Sequence, residues 1–293
     1  GREDDFQRIN SRLWALTSGS VLAAILLGAP LAAATSYTFP ILLSAGIALA
    51  AVPVAFSMHE PRITDEEQKE PYLQTVATGI RDAWNRPALR YIILFSALLG
   101  AVTFAPLIFV QPFLDEHGVG TGNLGLWQAP VRGAGVVAAL LVHQFVARTG
   151  QRAAFLAMPA AIAVAMFALA GFDFLWASMA FLVVGAVAGM QNPVLATYVN
   201  KRIPSERRAT MLSVQALIAS LILAGMEPMA GIIADSAGLR AMFLTFGAVI
   251  VVLGGGVLAL WWRAELSELA VESGPSLALV SEPEQPAEPV AVS

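Results

Sequence analysis

Long apolar runs separated by short polar turns dominate the chain. Eight of them are long enough to read as helices, over residues 13–34, 37–57, 91–113, 124–147, 153–171, 175–199, 210–234 and 241–262. Runs of about 18 or more apolar residues with few charges mark bilayer-spanning helices. Short connections make sequence neighbours antiparallel. Two segments break the rhythm. Residues 58–90 form a long charged stretch, in which Pro71, Tyr72, Leu73, Val76, Ile80 and Trp84 recur at helical spacing after TDEEQKE. That spacing suits an amphipathic helix at the membrane surface; a partly ordered linker stays open beside it. Residues 264–293 carry Glu265, Glu268, Glu272, Glu282, Glu284 and Glu288 with several prolines. Such a segment cannot bury a core and reads as disordered.

Composition supports this pattern. The 293 residues are 57% hydrophobic and 13% charged, with a mean hydropathy of +0.69. The expectation is an all-α polytopic membrane protein with eight transmembrane helices. The absence of cysteine removes disulfides, thiolate metal sites and Cys nucleophiles. With three histidines and no intramembrane Asp, no metal site or other cofactor is expected. Nor does any H-E-x-x-H pair, G-x-S-x-G elbow or selectivity-filter sequence occur, and the lysines, Lys69 and Lys201, lie in loops. Enzyme, retinal-protein and channel chemistries thus lack their residues. Nothing points to nucleic acid.

Placement of Lys and Arg sets the orientation. Of 17 basic residues, all but Arg132 and Arg240 fall on one side of the zigzag. That side is expected to be cytoplasmic, the C-terminus included, in a multi-pass protein of the cell membrane. The chain begins with Gly1 rather than Met, and its first apolar run is already span-length. It therefore reads as a piece of a longer protein.

A few polar residues sit inside apolar runs, where charge costs about 2.5–3.5 kcal/mol on insertion scales. In TMLSVQALIASLILAGMEPMAGIIA (210–234), Glu227 shares its helical face with Ser213, Ala216, Ser220, Ala224, Gly231 and Ala234. The opposite face holds Met211, Val214, Ile218, Ile222, Met229 and Ile232, which suits lipid. In the fourth helix Arg132 shares a face with Gln128, Ala139 and His143. Both charges lie roughly 10–14 Å from the same membrane boundary at 1.5 Å rise per residue. They could pair with each other or meet a solute. The alternative is a static salt bridge that braces two helices. His143, near a helix end, reads as an interfacial or packing residue. GAVAGMQNPV (185–194) pairs a Gly185-x-x-x-Gly189 packing stripe with Gln191 and Asn192. Those two side chains could bind solute, or Asn192 could satisfy the carbonyl freed by Pro193. Gln111 could line a cavity or sit at the interface, and Trp127 could stack on a substrate or belong to the aromatic belt; their place near the outer boundary favours the second reading of each.

The layout of two helices, a long charged cytoplasmic loop and six more helices resembles the C-terminal two-thirds of a major facilitator superfamily transporter. IPSERRATMLS (203–213) resembles the family's loop before its eleventh helix, and GIIADSAGLRAMF (231–243) its turn into the last helix. GREDDFQRINSR (1–12) resembles the start of its fifth helix. The resemblance implies an MFS-like fold lacking the first four of twelve helices. Residues 1–57 would end the N-terminal bundle, 58–90 the cytoplasmic linker, 91–263 the C-terminal bundle and 264–293 the tail. HQFVARTGQRA keeps Arg148, Gly150 and Arg152 of the family's loop motif, with His143, Ala147 and Ala153 as departures. GAPLAA (28–33) keeps only fragments of its antiporter motif. The resemblance gives Arg148, Arg152, Arg207 and Arg208 a role in latching an inward gate, beside their part in topology, with Glu206 the nearest acid. It also places the helices of Arg132 and Glu227 around one cavity. The implied function is secondary transport of a small solute by alternating access. Proton coupling and efflux are the finer expectation. The alternative is a non-transporting membrane binding or sensing module of the same fold.

Overall fold

The computed structural model describes residues 20–57, 81, 84–202 and 205–273. Helices account for nearly all of them, and no strand occurs among the described residues. In a bilayer every backbone N–H and C=O must be satisfied within the segment, which leaves the helix as the available form for such runs. The elements are α1 (Ser20–Ala34), α2 (Thr38–Ser57), α3 (Pro87–Ile108), a short α4 (Val110–Glu116), α5 (Leu124–Thr149), α6 (Gln151–Gly171), α7 (Ala180–Arg202), α8 (Ser205–Val249) and α9 (Gly255–Ser273). A π-helical turn, Ile250–Gly254, joins the last two.

Six described helices are long and apolar enough to cross a membrane. One of these, Ser213–Glu268, runs for 56 residues. It is broken at Gly238, whose φ of 86° and ψ of 165° are not helical. Only glycine takes that conformation without strain. The chain turns back here: Gly238 and Arg240 lie beside His117, whereas Glu265 returns to Arg202 at the other end. Expected boundaries shift in two places. α3 begins at Pro87, a favourable first-turn position, inside the stretch assigned to the linker, and it breaks at Phe109 before α4. The last helix continues past Arg263 to Ser273, so residues 264–273 are helical rather than disordered. The expected amphipathic helix after TDEEQKE, the start of the first span and residues 274–293 lie outside the described residues.

α3 to α9 form one bundle. α3 packs on α7, α8 and α9, and α6 packs on α7 and α8. Their shared core holds Ile92, Phe95, Leu99, Phe155, Ile162, Phe181, Phe246 and Trp261, all essentially inaccessible. Lipid tails are as apolar as these side chains, so close packing rather than exclusion from water holds such helices together. The tightest seam joins α5 to α7. Gly185 faces the Val131 carbonyl, and Gly189 faces the backbone of Gly135 so closely that neither has room for a Cβ. The Gly185-x-x-x-Gly189 stripe thus packs as its sequence led us to expect. α2 stands apart, without a buried residue.

Candidate functional site

The described part of the N-terminal pair meets the bundle along α5. Gly125 packs against the Ile25 backbone so closely that a Cβ would overlap the Ile25 carbonyl. At the tip between α1 and α2, the Tyr37 and Thr121 hydroxyls lie 3.0 Å apart in a hydrogen bond. Between these contacts is a cavity of about 560 Å³. One wall is small and apolar, with Gly28, Ala29 and Ala32 of α1. The other carries Gln111, Gln128 and Arg132. Gln128 and Arg132 are one helical turn apart on α5, so the 3.6-residue period delivers both to the same wall. Gln111, at the start of α4, joins them in the lining, the cavity reading of the two its sequence position allowed. No ion pair involves Arg132 among the described residues. Among the described residues the cavity therefore presents one cation without an ion-pair partner, two amides and two hydroxyls against an apolar wall. That arrangement suits a small amphipathic solute with a polar or anionic group.

The other expected site residues are not gathered there. Glu227 is half-buried on α8 and does not line this cavity. It forms no direct ion pair with Arg132. Ser213, Ala216, Ser220 and Ala224, the small residues on its face, are exposed. The large residues expected to face lipid divide instead: Val214 is buried, Ile218 and Ile222 pack on the core, and Met229 and Ile232 are exposed. Gln191 and Asn192 point apart. Asn192 is exposed, whereas Gln191 is 7% exposed, its amide near Gly100 of α3. Gln191 Oε1 is buried without a hydrogen-bond partner among the described residues. An orphaned buried acceptor of this kind costs about 1–3 kcal/mol. His143 is exposed near the end of α5, and Trp127 stacks obliquely on Trp176, ring centres 5.6 Å apart.

The basic end of the bundle holds a second constellation. Gly150, with φ 84°, turns the chain from α5 into α6. Gln151 then donates its side-chain N–H to the Val194 carbonyl at 3.0 Å. Arg152 reaches Glu265 at 3.7 Å and lies over the Trp262 ring. Arg202 meets the same carboxylate oxygen of Glu265 at 2.7 Å, and its guanidinium lies 3.7 Å from the Tyr198 ring centre. Trp261 donates to the Tyr198 hydroxyl at 2.8 Å, and Ala88 N–H donates to Glu268. So α9 is tied to α3, α6 and α7 at one end. Arg148 is exposed and outside this network. The side chains of Glu206, Arg207 and Arg208 lie outside the described residues. The acid that meets Arg152 is Glu265, which the sequence reading had placed in a disordered tail. The signal was present: Leu258, Trp261, Glu265 and Glu268 continue the helical spacing past Arg263.

A sequence profile of the Major Facilitator Superfamily matches residues 7–226. The chain belongs to the major facilitator superfamily. Solved structures of this superfamily fold resemble it. The nucleoside transporter NupG, as its D323A mutant, superposes with a TM-score of 0.67 at 18% identity, covering 89% of this chain and 68% of that one. A bacterial homologue of the human lysosomal transporter Spinster, inward-facing and unoccupied, gives 0.49 at 20% identity, with 78% and 53% covered. No curated protein matches the chain. Membership in the superfamily accounts for the all-helical bundle and its apolar spans. At 18% identity the likeness to NupG speaks for fold alone.

Proposed function

We propose that the chain is the bulk of a secondary transporter that moves a small solute by alternating access, with Arg132 as the anchor for its polar group. The observation that carries this is the 560 Å³ cavity between the α1–α2 pair and α5. A family carrier places its site between two helix groups that rock against each other, and this cavity lies between two such groups. Gln111 and Gln128 supply hydrogen bonds around the guanidinium, and the wall of Gly and Ala leaves room for an apolar portion. In this reading the basic end faces the cytoplasm of the cell membrane, and the Arg152–Glu265–Arg202 cluster braces the inward gate. Eight crossings and a further set of N-terminal helices complete the architecture. Glu227, on the exposed small face of α8, is the proton-coupling group, and efflux is the favoured direction.

The test is flux in proteoliposomes made with the full-length protein, using benzoate, benzamide and benzylamine as size-matched probes of different charge. Uptake of at least one probe is expected, reduced at least tenfold by R132Q and partly restored by R132K. E227Q is expected to abolish accumulation driven by a pH gradient while sparing exchange at equal pH. Binding of a probe without flux would favour the sensing module. Unchanged flux in R132Q would remove Arg132 from the site.

A further inference from the structure

At the end of the bundle opposite Glu265, one imidazole is caught between two acceptors. His117 follows α4, and its Nδ1 lies 2.8 Å from the Phe113 carbonyl oxygen. A carbonyl only accepts, so Nδ1 must carry the hydrogen. On the other side of the ring, Nε2 lies 3.3 Å from Asp173 Oδ1, in the turn between α6 and α7. A neutral imidazole has a single N–H. With that hydrogen on Nδ1, Nε2 would direct a lone pair at a carboxylate. The imidazolium alone has a hydrogen for each acceptor. Nε2 is buried and makes no aligned hydrogen bond, so its attraction to Asp173 is that of an ion pair.

The two partners differ in freedom. The His117 ring stacks on Phe113 with centres 4.3 Å apart, and Phe113 packs edge-on against Phe181 and Phe243. The Asp173 side chain is 96% exposed. The ring is therefore fixed, and the carboxylate is the freer of the two partners. Two other charged groups line the same 250 Å³ hollow: Glu116 of α4, which favours the cation, and Arg240 of α8, which opposes it.

The turn leads to a pair of tryptophans. Asp173 is three residues before Trp176, whose ring lies 5.6 Å from that of Trp127 on α5. Trp127 precedes Gln128 in sequence but does not itself line the cavity. We propose that His117 and Asp173 form a proton-dependent clasp, which holds residues 172–176 down and Trp176 against Trp127 of α5. The clasp is closed while His117 is protonated and Asp173 ionised. It opens when His117 gives up that proton, because the neutral ring then turns a lone pair toward the carboxylate. It operates whether or not the cavity carries a transported solute.

The test is a pH titration of tryptophan emission from the full-length protein in detergent. Wild type is expected to show a single-proton transition in tryptophan emission. D173N, W176F and H117Q are each expected to lose it. D173N is decisive because Asp173 is exposed, so its replacement leaves the fold intact. A flat wild-type trace overturns the proposal. So does a transition that survives in D173N, since it would then belong to His59, to His143 or to His117 acting without its partner.

Discussion

Replacing Gly189 with alanine is a direct probe of how the bundle is held together. A methyl group built on Gly189 would lie 2.6 Å from the carbonyl carbon of Gly135 and 2.8 Å from its Cα. Ordinary carbon–carbon contacts fall at about 3.5–4.0 Å. The axes of α5 and α7 must therefore part by roughly 1 Å. What the methyl meets is backbone, not the end of a side chain that could swing aside. Overpacking of this kind costs about 1–3 kcal/mol. Against it stands the intrinsic gain of Gly→Ala inside a helix, close to 1 kcal/mol. Gly133, also on α5, isolates that gain, because a methyl there meets nothing within 4 Å. Purified protein in detergent should show G133A melting at or above wild type and G189A melting below it. Packing is the principal attraction between helices in lipid, so the loss should persist in reconstituted bilayers. If G189A melts as high as G133A, the helices do not approach as closely as their glycines indicate.

Two further substitutions test the buried polar groups. E265A removes the acceptor shared by Arg202 and Arg152; both guanidiniums keep a path to water, so the loss should be near 1–2 kcal/mol rather than the ~3–5 of a fully buried pair. It is read as a lower melting midpoint, and R202A should add to it only the loss of the guanidinium's stacking on Tyr198, since the ion pair is already gone. Q191M replaces an orphaned acceptor with an apolar chain of similar length and should stabilise the fold by about 1 kcal/mol; a marked loss of stability would mean that the amide has a partner, such as bound water.

The apolar runs by themselves determined a great deal. Length and hydropathy specify helices that cross a bilayer, because no other backbone form satisfies its own hydrogen bonds there. Helical period was enough to put Gln128 and Arg132 on one face of α5 and to find the small stripe around Glu227. The arrangement of those faces against each other belonged to the tertiary structure. Hydropathy inverted much of α8, because a packed helix interface is as apolar as lipid and Val214 looks the same against either. That Arg132 faces Gly28, Ala29 and Ala32 across a cavity depended on where α1 rests on α5, a contact with no period of its own. Glu265 shows the same limit most plainly. In sequence it opens an acidic tail, and only the convergence of α6, α7 and α9 supplies Arg152 and Arg202 to make it a buried anchor. A repeating pattern reports which side of one helix differs from the other; what that side touches is set by residues dozens of positions away.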